Sequence, residues 1–406
     1  MNVDVLVVGG GIAGAACAYF LAEHAGVVLL EGEDAFGYHT TGRSAALFSE
    51  YFGNRPVRLL TAASRAFFEA PPEGFAQGPL LSPRGVIALA SEDDIETGRF
   101  HAALAAGRDA RLPAHEISLD RAHSMCPILA PHGYAKALAR PSVADIDVDA
   151  LHQGFLRGVR ARGGKTMQGQ RVKALRREAG MWRVATASGE QFAAGHVVNA
   201  AGAWADELAM RAGVAPIGLV PKRRTLVLAE AAATAPHRDV SPTWPMVTDL
   251  VDTFYFKPES GKLMVSPSDE TPTAPGDAQP EELDVATAVD RLEAVTTWRV
   301  GRIAHKWAGL RSVVADETPV LGEAPDASGF FWAAALGGFG IQTAPAVGRA
   351  VACLVTSGKL PDDLCSNGAD AAQERSSEAG FSPARLSQTS GEARLTPPRD
   401  AQAPWA

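Results

Sequence analysis

Residues 3–22 read VDVLVVGGGIAGAACAYFLA, and the order of residue types in that run decides the fold. Val3 to Val8 is almost wholly apolar, the composition of a strand covered on both faces of a parallel sheet. Gly9, Gly11 and Gly14 follow at G-x-G-x-x-G spacing, and from Ile12 the chain runs in good helix formers without proline. A second apolar run, Val27 to Leu30, stops at Glu31, which completes a strand–helix–strand unit. In such a unit Gly9 permits the tight turn, Gly11 lets backbone approach a pyrophosphate, and Gly14 lets the helix pack on the strand. The free N–H groups of the first helical turn, at Ile12 and Ala13, and the helix dipole then favour an anion. Glu31, followed by Gly32, stands where a carboxylate accepts hydrogen bonds from an adenosine ribose and disfavours a 2′-phosphate. The run predicts a dinucleotide site.

Composition sets the frame around it. The chain of 406 residues is 46% hydrophobic, which suits a large core in two interlocked domains. A net charge of −8 gives no uniform basic field for nucleic acid or an anionic membrane surface, so small molecules are the expected partners. No run approaches the ~20 apolar residues of a membrane span, and the amino terminus enters a strand without a basic leader, so a cytoplasmic protein is expected. Cys17, Cys126, Cys353 and Cys365 form no CxxC pair and have no histidine at zinc-ligand spacing. Reduced thiols and no bound metal are expected.

Outward from the opening run, the fold class expected is α/β, a Rossmann-like dinucleotide domain interleaved with an α+β substrate domain carrying a mixed sheet. Residues 147–162 pattern as a helix, and Arg171–Leu175, Trp182–Thr186 and Gln191–Ala193 as short antiparallel strands. Residues 196–201 return to a buried central strand, 281–297 to a helix, and 330–335 to a strand, followed by a glycine turn and a helix to about 357. Pieces of the two kinds alternate. This gives 1–75, 141–210 and 306–365 to the dinucleotide domain, 76–140 and 211–305 to the substrate domain, and 366–406 to a flexible tail poor in large apolar residues.

Three later segments choose the dinucleotide. Residues 37–53, GYHTTGRSAALFSEYFG, crowd Thr40, Thr41, Gly42, Arg43, Ser44, Ala45, Ala46 and Leu47 together. Small and hydroxyl residues let a backbone lie against a flat ring or a phosphate, although alone the segment also reads as a polar surface loop. Residues 196–205, HVVNAAGAWA, end a buried strand in Ala200, Ala201 and Gly202, with Trp204 just beyond. Three successive residues nearly without side chains suit close approach of something planar. Val172, on an earlier strand, reads either as a core valine or as a backbone cap on an adenine edge. Residues 330–343, FFWAAALGGFGIQT, supply a second glycine-rich helix start at Gly337, Gly338, Phe339, Gly340, Ile341 and Gln342. A nicotinamide site has no use for it. A reduced flavin carries negative charge around its N1 edge, which the positive end of a helix stabilises.

Together GGGIAG, GYHTTGRSAA, VVNAAGAWAD, WAGLRS and GGFGIQT resemble the D-amino acid oxidase and dehydrogenase superfamily of FAD enzymes over about 1–365. Within it, LLSPR, ADIDVDALHQGFLRG and LVPKRR make the chain most similar to bacterial D-arginine dehydrogenases. The resemblance implies non-covalent FAD and oxidation of a D-amino acid to an imino acid, which water hydrolyses to a 2-oxo acid and ammonia. It implies that Arg311 binds the substrate carboxylate, that the Tyr255 hydroxyl joins it, that Arg224 lines the pocket and that the Gly338 carbonyl receives the amine. The bidentate fork of arginine is the natural partner of a carboxylate.

Three departures bear on the side chain accepted. Leu47 stands where the D-arginine enzymes have histidine beside the flavin, Phe52 where they have tyrosine, and Val86 where they have a glutamate that holds the guanidinium. A buried guanidinium without a carboxylate partner is costly, by ~3 kcal/mol or more. Apolar or small D-amino acids are therefore expected over D-arginine. Other readings stay open: a superfamily member acting on glycine, sarcosine, another secondary amine or a 2-hydroxy acid, an NAD enzyme, or a non-catalytic flavin-binding subunit. No motif names the electron acceptor, whether quinone, oxygen or another.

Overall fold

The computed structural model describes residues 1–108, 112–235, 237–365 and 380–386. Two large sheets form its framework, with eight and nine strands, and a small three-stranded sheet stands beside them. In the first sheet Asn2–Val8 lies between Val27–Leu30 and Gln191–Asn199, parallel to both. Lys165–Met167 extends one side of that sheet in parallel, and Ala327–Ala334 pairs in parallel with the end of Gln191–Asn199. All four residues of Val27–Leu30 are buried, as a strand covered on both faces requires.

The helix Ile12–Leu21 packs on this sheet and against the helix Gly340–Ser357, which also reaches the sheet. Its small residues allow that: a Cβ on Gly348 would stand 2.6 Å from the Ala16 carbonyl oxygen, and one on Gly14 would stand 1.8 Å from that of Gly9. Ala15, Ala16 and Cys17 are accordingly fully buried. A cluster of Tyr19, Phe67, Phe75 and Phe155 rings closes the far side of the helix, in edge-on and stacked contacts.

The nine-stranded sheet carries Val220–Ala231, Lys262–Ser266, Tyr255–Glu259, Met246–Asp249, Val86–Ala90 and Lys136–Arg140 as successive neighbours. Val300–Val313 pairs antiparallel along nearly the whole of Val220–Ala231. That strand runs across the expected domain boundary at 306, so residues 306–313 belong to the larger sheet. The strands Val86–Ala90 and Lys136–Arg140 were not apparent in the weakly patterned 76–140 region, and Arg55–Glu69 is an unexpected helix, capped by Asn54 and with proline near its start. The pieces expected at 191–193 and 196–201 are one strand, Gln191–Asn199.

The four cysteines are free, with Cys17 and Cys126 buried. Most of the expected tail, 366–379 and 387–406, lies outside the described residues. Residues 380–386 are docked: Phe381 is 2% exposed in the core, and Arg385 pairs with Asp316 at 2.8 Å. Among the described residues no helix is long and apolar enough to cross a membrane.

Candidate active site

The turn after the first strand is shaped so tightly that only glycine fits. Gly9 has φ +110°, and a Cβ there would lie 2.2 Å from the Ala200 carbonyl oxygen. Glu31 closes the next loop: one carboxylate oxygen accepts the Gly10 N–H at 2.8 Å, the other the Glu33 N–H at 2.9 Å. Each oxygen keeps a further lone pair for a ligand hydroxyl. Two residues that the motif does not contain fix this turn. Thr41 Oγ1 accepts the Ile12 N–H at 3.0 Å, and His152 Nε2 donates to the Gly10 carbonyl at 2.9 Å. His152 is buried, which lowers its pKa below the ordinary imidazole value against the opposing pull of the Gly10 carbonyl. It comes from the helix Val148–Ala161, whose amino terminus Asp147 caps through the Ala150 N–H at 2.8 Å.

The two sheets meet where the loop after Gly37 is fastened to the strand Val300–Val313. Thr40 Oγ1 donates to the Leu310 carbonyl at 2.8 Å, Arg43 Nη1 to the Ala308 carbonyl at 2.9 Å, and Trp307 Nε1 to the Arg43 carbonyl at 3.1 Å. These bonds set Arg311 beside the loop. Gly337 N–H then donates to the Ser312 carbonyl at 2.9 Å, bringing the second glycine turn onto the same strand. A Cβ on Gly338 would lie 2.8 Å from Arg311 Cζ, so the guanidinium lies directly against the glycine.

Arg311 is the distinctive group. Among the described residues its guanidinium has neither a hydrogen-bond nor an ion-pair partner, and the Tyr255 hydroxyl has none either. Burial and the nearby Arg224 charge lower the Arg311 pKa, while Tyr255, Asp252 and Glu270 oppose that shift. Arg224 is 4% exposed and differs in being held: its Nη2 donates to Glu270 Oε1 at 2.9 Å, and Asp252 lies 3.7 Å from its Nη1. Nε and Nη1 of Arg224 make no hydrogen bond. One arginine is therefore free for an incoming carboxylate, and the other is largely neutralised by the protein.

A single cavity of about 1700 Å³, including its open mouth, joins these parts. Its wall contains Gly9, Gly11, Ile12, Ala13, Glu31, Gly32, Thr40, Thr41, Arg43, Ser44, Ala45 and Val172 from the expected set. Ala201, Gly202, Trp204, Arg224, Tyr255, Arg311, Gly337, Gly338, Gly340 and Ile341 also line it. Six expected residues lie outside that wall. Gly14 serves helix packing, and the Gly42 N–H closes a turn on the Gly37 carbonyl at 2.8 Å. Ala46 takes φ +33° with its N–H on Ser44 Oγ, and Leu47 pairs with Asp145 in the small sheet. Phe339 sits at the start of the helix, near Gly53. Gln342 is 3% exposed and used at both ends: Oε1 accepts the Ser49 N–H and Nε2 donates to Thr61 Oγ1. The wall also contains His39, Arg171 and Arg211, which were outside the expected set. Among the described residues there is no cluster of His, Cys, Asp or Glu fit to hold a metal.

The profile of the DAO family, described as FAD dependent oxidoreductase, matches residues 4–354. The chain belongs to that family. It is 26% identical over 369 residues to glycine oxidase of Geobacillus kaustophilus, across 89% of this chain and 95% of the relative. The crystal structure of that enzyme superposes with a TM-score of 0.75 over 87% and 94% of the two chains. The chain is also 23% identical to sarcosine oxidase subunit beta of Rhodobacter capsulatus, across 88% of this chain and 86% of the subunit. L-proline dehydrogenase from P. horikoshii shares the fold, with a TM-score of 0.78 at 21% identity over 97% and 99% of the chains.

FAD is the cofactor of the family, and this cavity suits it on its own terms. The glycine at position 9 leaves no room for a side chain, Glu31 offers unused lone pairs, and the starts of both glycine-led helices, at Gly11 and Gly340, open on one continuous space. An NAD enzyme is set aside accordingly.

Proposed function

We propose that the protein oxidises the carbon–nitrogen single bond of an α-amino carboxylate to an imine, with FAD held non-covalently along the cavity. The guanidinium of Arg311 carries this reading, because a cation facing the cavity with no protein partner among the described residues calls for an anion from the substrate. The carboxylate docks on Arg311 with the Tyr255 hydroxyl beside it, and the Gly338 carbonyl accepts a hydrogen from the amine. Arg224, already held by Glu270, forms wall rather than anchor.

Gly9, Gly11 and Ala13 would take the pyrophosphate, the Ile12 N–H expected to be free being given to Thr41 Oγ1 instead; Glu31 and Gly32 would take the ribose, and Val172 the adenine. Thr40, Thr41, Arg43, Ser44, Ala45, Ala201, Gly202 and Trp204, with Gly337, Gly338, Gly340 and Ile341, would surround the ring. When bound, FAD supplies the acceptor of two electrons and the α-hydrogen as hydride. The amine first gives a proton to solvent, and its lone pair then forms the C=N bond as the Cα–H bond breaks. Water adds to the imine and expels ammonia, leaving a 2-oxo acid. The protein's part is placement of the reacting atoms, with no strong base required.

The substrate this reading favours is a D-amino acid without a cationic side chain, since Val86 leaves a guanidinium unpaired. The names of the relatives support a second reading, glycine or an N-substituted glycine such as sarcosine, for which the same anchor serves. Anaerobic mixing of the yellow holoprotein with D- and L-amino acids, glycine and sarcosine separates these by which compound bleaches the flavin absorbance. Failure of every compound to bleach it would overturn the proposal in favour of a non-catalytic flavin-binding subunit. Yellow colour retained in an acid-precipitated pellet would contradict non-covalent binding.

A further inference from the structure

Side chains of cross-strand partners share a face of a sheet, and so do residues two apart on one strand. Lys222 pairs with Arg311 and Arg224 with Gly309, so Arg311, Gly309, Arg224 and Leu226 lie on one face of the larger sheet. Tyr255 joins them through its partner Ser266, whose neighbour Val265 pairs with Val227. All five line the cavity.

The polar groups on that face are already engaged. The substrate carboxylate takes Arg311 and the Tyr255 hydroxyl, and Arg224 donates to Glu270 at 2.9 Å. Nε and Nη1 of Arg224 are buried and closed off from the space, which leaves only the methylene stem of that residue to meet a ligand. Gly309 has no side chain. Leu226 is what this face offers to the rest of a substrate.

Leu226 is 2% exposed and shares an apolar cluster with Tyr255, against which Ala45 and Trp307 pack. Ala45 also lines the cavity, and the hydroxyl of the preceding Ser44 accepts the Ala46 N–H at 3.0 Å. Trp307 pairs with Leu226 across the strands, and its Nε1 donates to the Arg43 carbonyl at 3.1 Å. A ring held in this way keeps Leu226 from swinging aside. Along its strand Leu226 stands four residues beyond Lys222, the partner of Arg311, a distance of roughly 13 Å. Glycine or alanine docked on Arg311 leaves that stretch to water, whereas a chain of several carbons covers it. A polar chain would give up its water there without a protein partner.

We propose that Leu226 is a specificity-determining residue, the apolar floor on which the substrate side chain rests, and that the substrate class is 2-amino acids with hydrocarbon side chains of several carbons rather than glycine or sarcosine. This rests on the reading of Arg311 as the carboxylate anchor.

The test uses the holoprotein in two arms. The first measures kcat/KM by anaerobic flavin reduction for glycine, sarcosine, D-alanine, D-2-aminobutyrate, D-norvaline and D-norleucine, with D-serine beside D-2-aminobutyrate. The value is expected to rise about four-fold with each added methylene, and D-2-aminobutyrate to lead D-serine by about ten-fold. Leu226→Phe is expected to move the best substrate to a shorter chain, and Leu226→Ala to a longer one. The second arm needs no turnover: acetate, propionate, butyrate and valerate are titrated against the flavin absorbance. Binding is expected to tighten by a similar factor per carbon in the wild-type protein and to stop tightening at a shorter chain in Leu226→Phe. A flat series in the wild-type protein, or one led by glycine or sarcosine, overturns the proposal even if both variants fail to fold. So does a series that is unchanged in folded, yellow Leu226→Phe. Chain-length dependence among the carboxylates without bleaching by any amino acid would leave the apolar floor standing and defeat the oxidase reading instead.

Discussion

Gly338→Ala tests the anchor without removing a charge. The added Cβ would lie 2.8 Å from Cζ, 2.9 Å from Nε and 3.0 Å from Nη1 of Arg311. Carbon atoms in contact settle at roughly 3.5 Å or more, so the guanidinium must retreat by about 0.5–0.7 Å. No protein hydrogen bond holds it in place among the described residues, so the retreat disturbs the fold little. Thermal stability should change by about 1 kcal/mol or less, a shift of a few degrees at most in Tm. Catalysis is less tolerant, because misplacing reacting groups by ~1 Å can cost about 100-fold. The expected fall in kcat/KM is roughly 10- to 100-fold, which corresponds to ~1.4–2.7 kcal/mol in the transition state. Stopped-flow reduction under anaerobic conditions would show it as weaker substrate binding together with a slower limiting rate. Flavin content and Tm are measured on the same preparation, to separate a displaced guanidinium from a lost cofactor. A yellow, stable Gly338→Ala protein with wild-type kcat/KM would refute the placement of the substrate carboxylate on Arg311.

The cradle makes two further predictions. Glu31→Ala removes the acceptor of two backbone N–H groups and the proposed ribose contact. At ~1–3 kcal/mol for an unsatisfied group, FAD affinity should fall by about 10- to 100-fold, read as flavin lost on ultrafiltration. Unchanged retention would remove Glu31 from the site. His152 has a pKa lowered by burial, so the unfolded chain binds more protons than the folded one below the ordinary imidazole value. Its contribution is present above pH ~6.5 and is lost as pH falls from there through the lower folded value. Tm measured from pH 7.5 to 5 should fall less steeply in His152→Gln than in the wild-type protein, and parallel slopes would count against this.

What the sequence could disclose followed from how local each signal is. The opening strand, helix and second strand were legible because period, glycine spacing and the terminal acid all lie within one short run, and each constrains the same backbone. Arg311 was singled out by the resemblance of WAGLRS to the family's motif, since composition and spacing do not mark one arginine among many. His152 was not, because its role depends on a partner far away in the chain, Gly10; Thr41 was expected at the site, but its bond to the Ile12 N–H was hidden for the same reason. The strand Val300–Val313 was obscured for a similar reason. Its burial alternates poorly, since one stretch is exposed beside Val220–Ala231 and another is covered by the cofactor loop. Gln342 shows the converse error. A polar residue beside a glycine turn reads as a ligand contact, whereas here its amide cross-links Ser49 and Thr61 and so holds the helix Gly340–Ser357 in position.

The charges of the chamber fit this division. Ion pairs to neighbouring elements, such as Arg223 with Asp284 of the helix Glu282–Val295 at 2.8 Å and Lys257 with Asp145 of the small sheet at 2.9 Å, satisfy cations that the larger sheet would otherwise leave buried and alone. Among the described residues the same sheet leaves Arg311 without such a partner. A fold that supplies carboxylates to its structural cations and withholds one from Arg311 fits the proposed use of that cation for a substrate anion, because an unmet guanidinium is costly until an anion arrives.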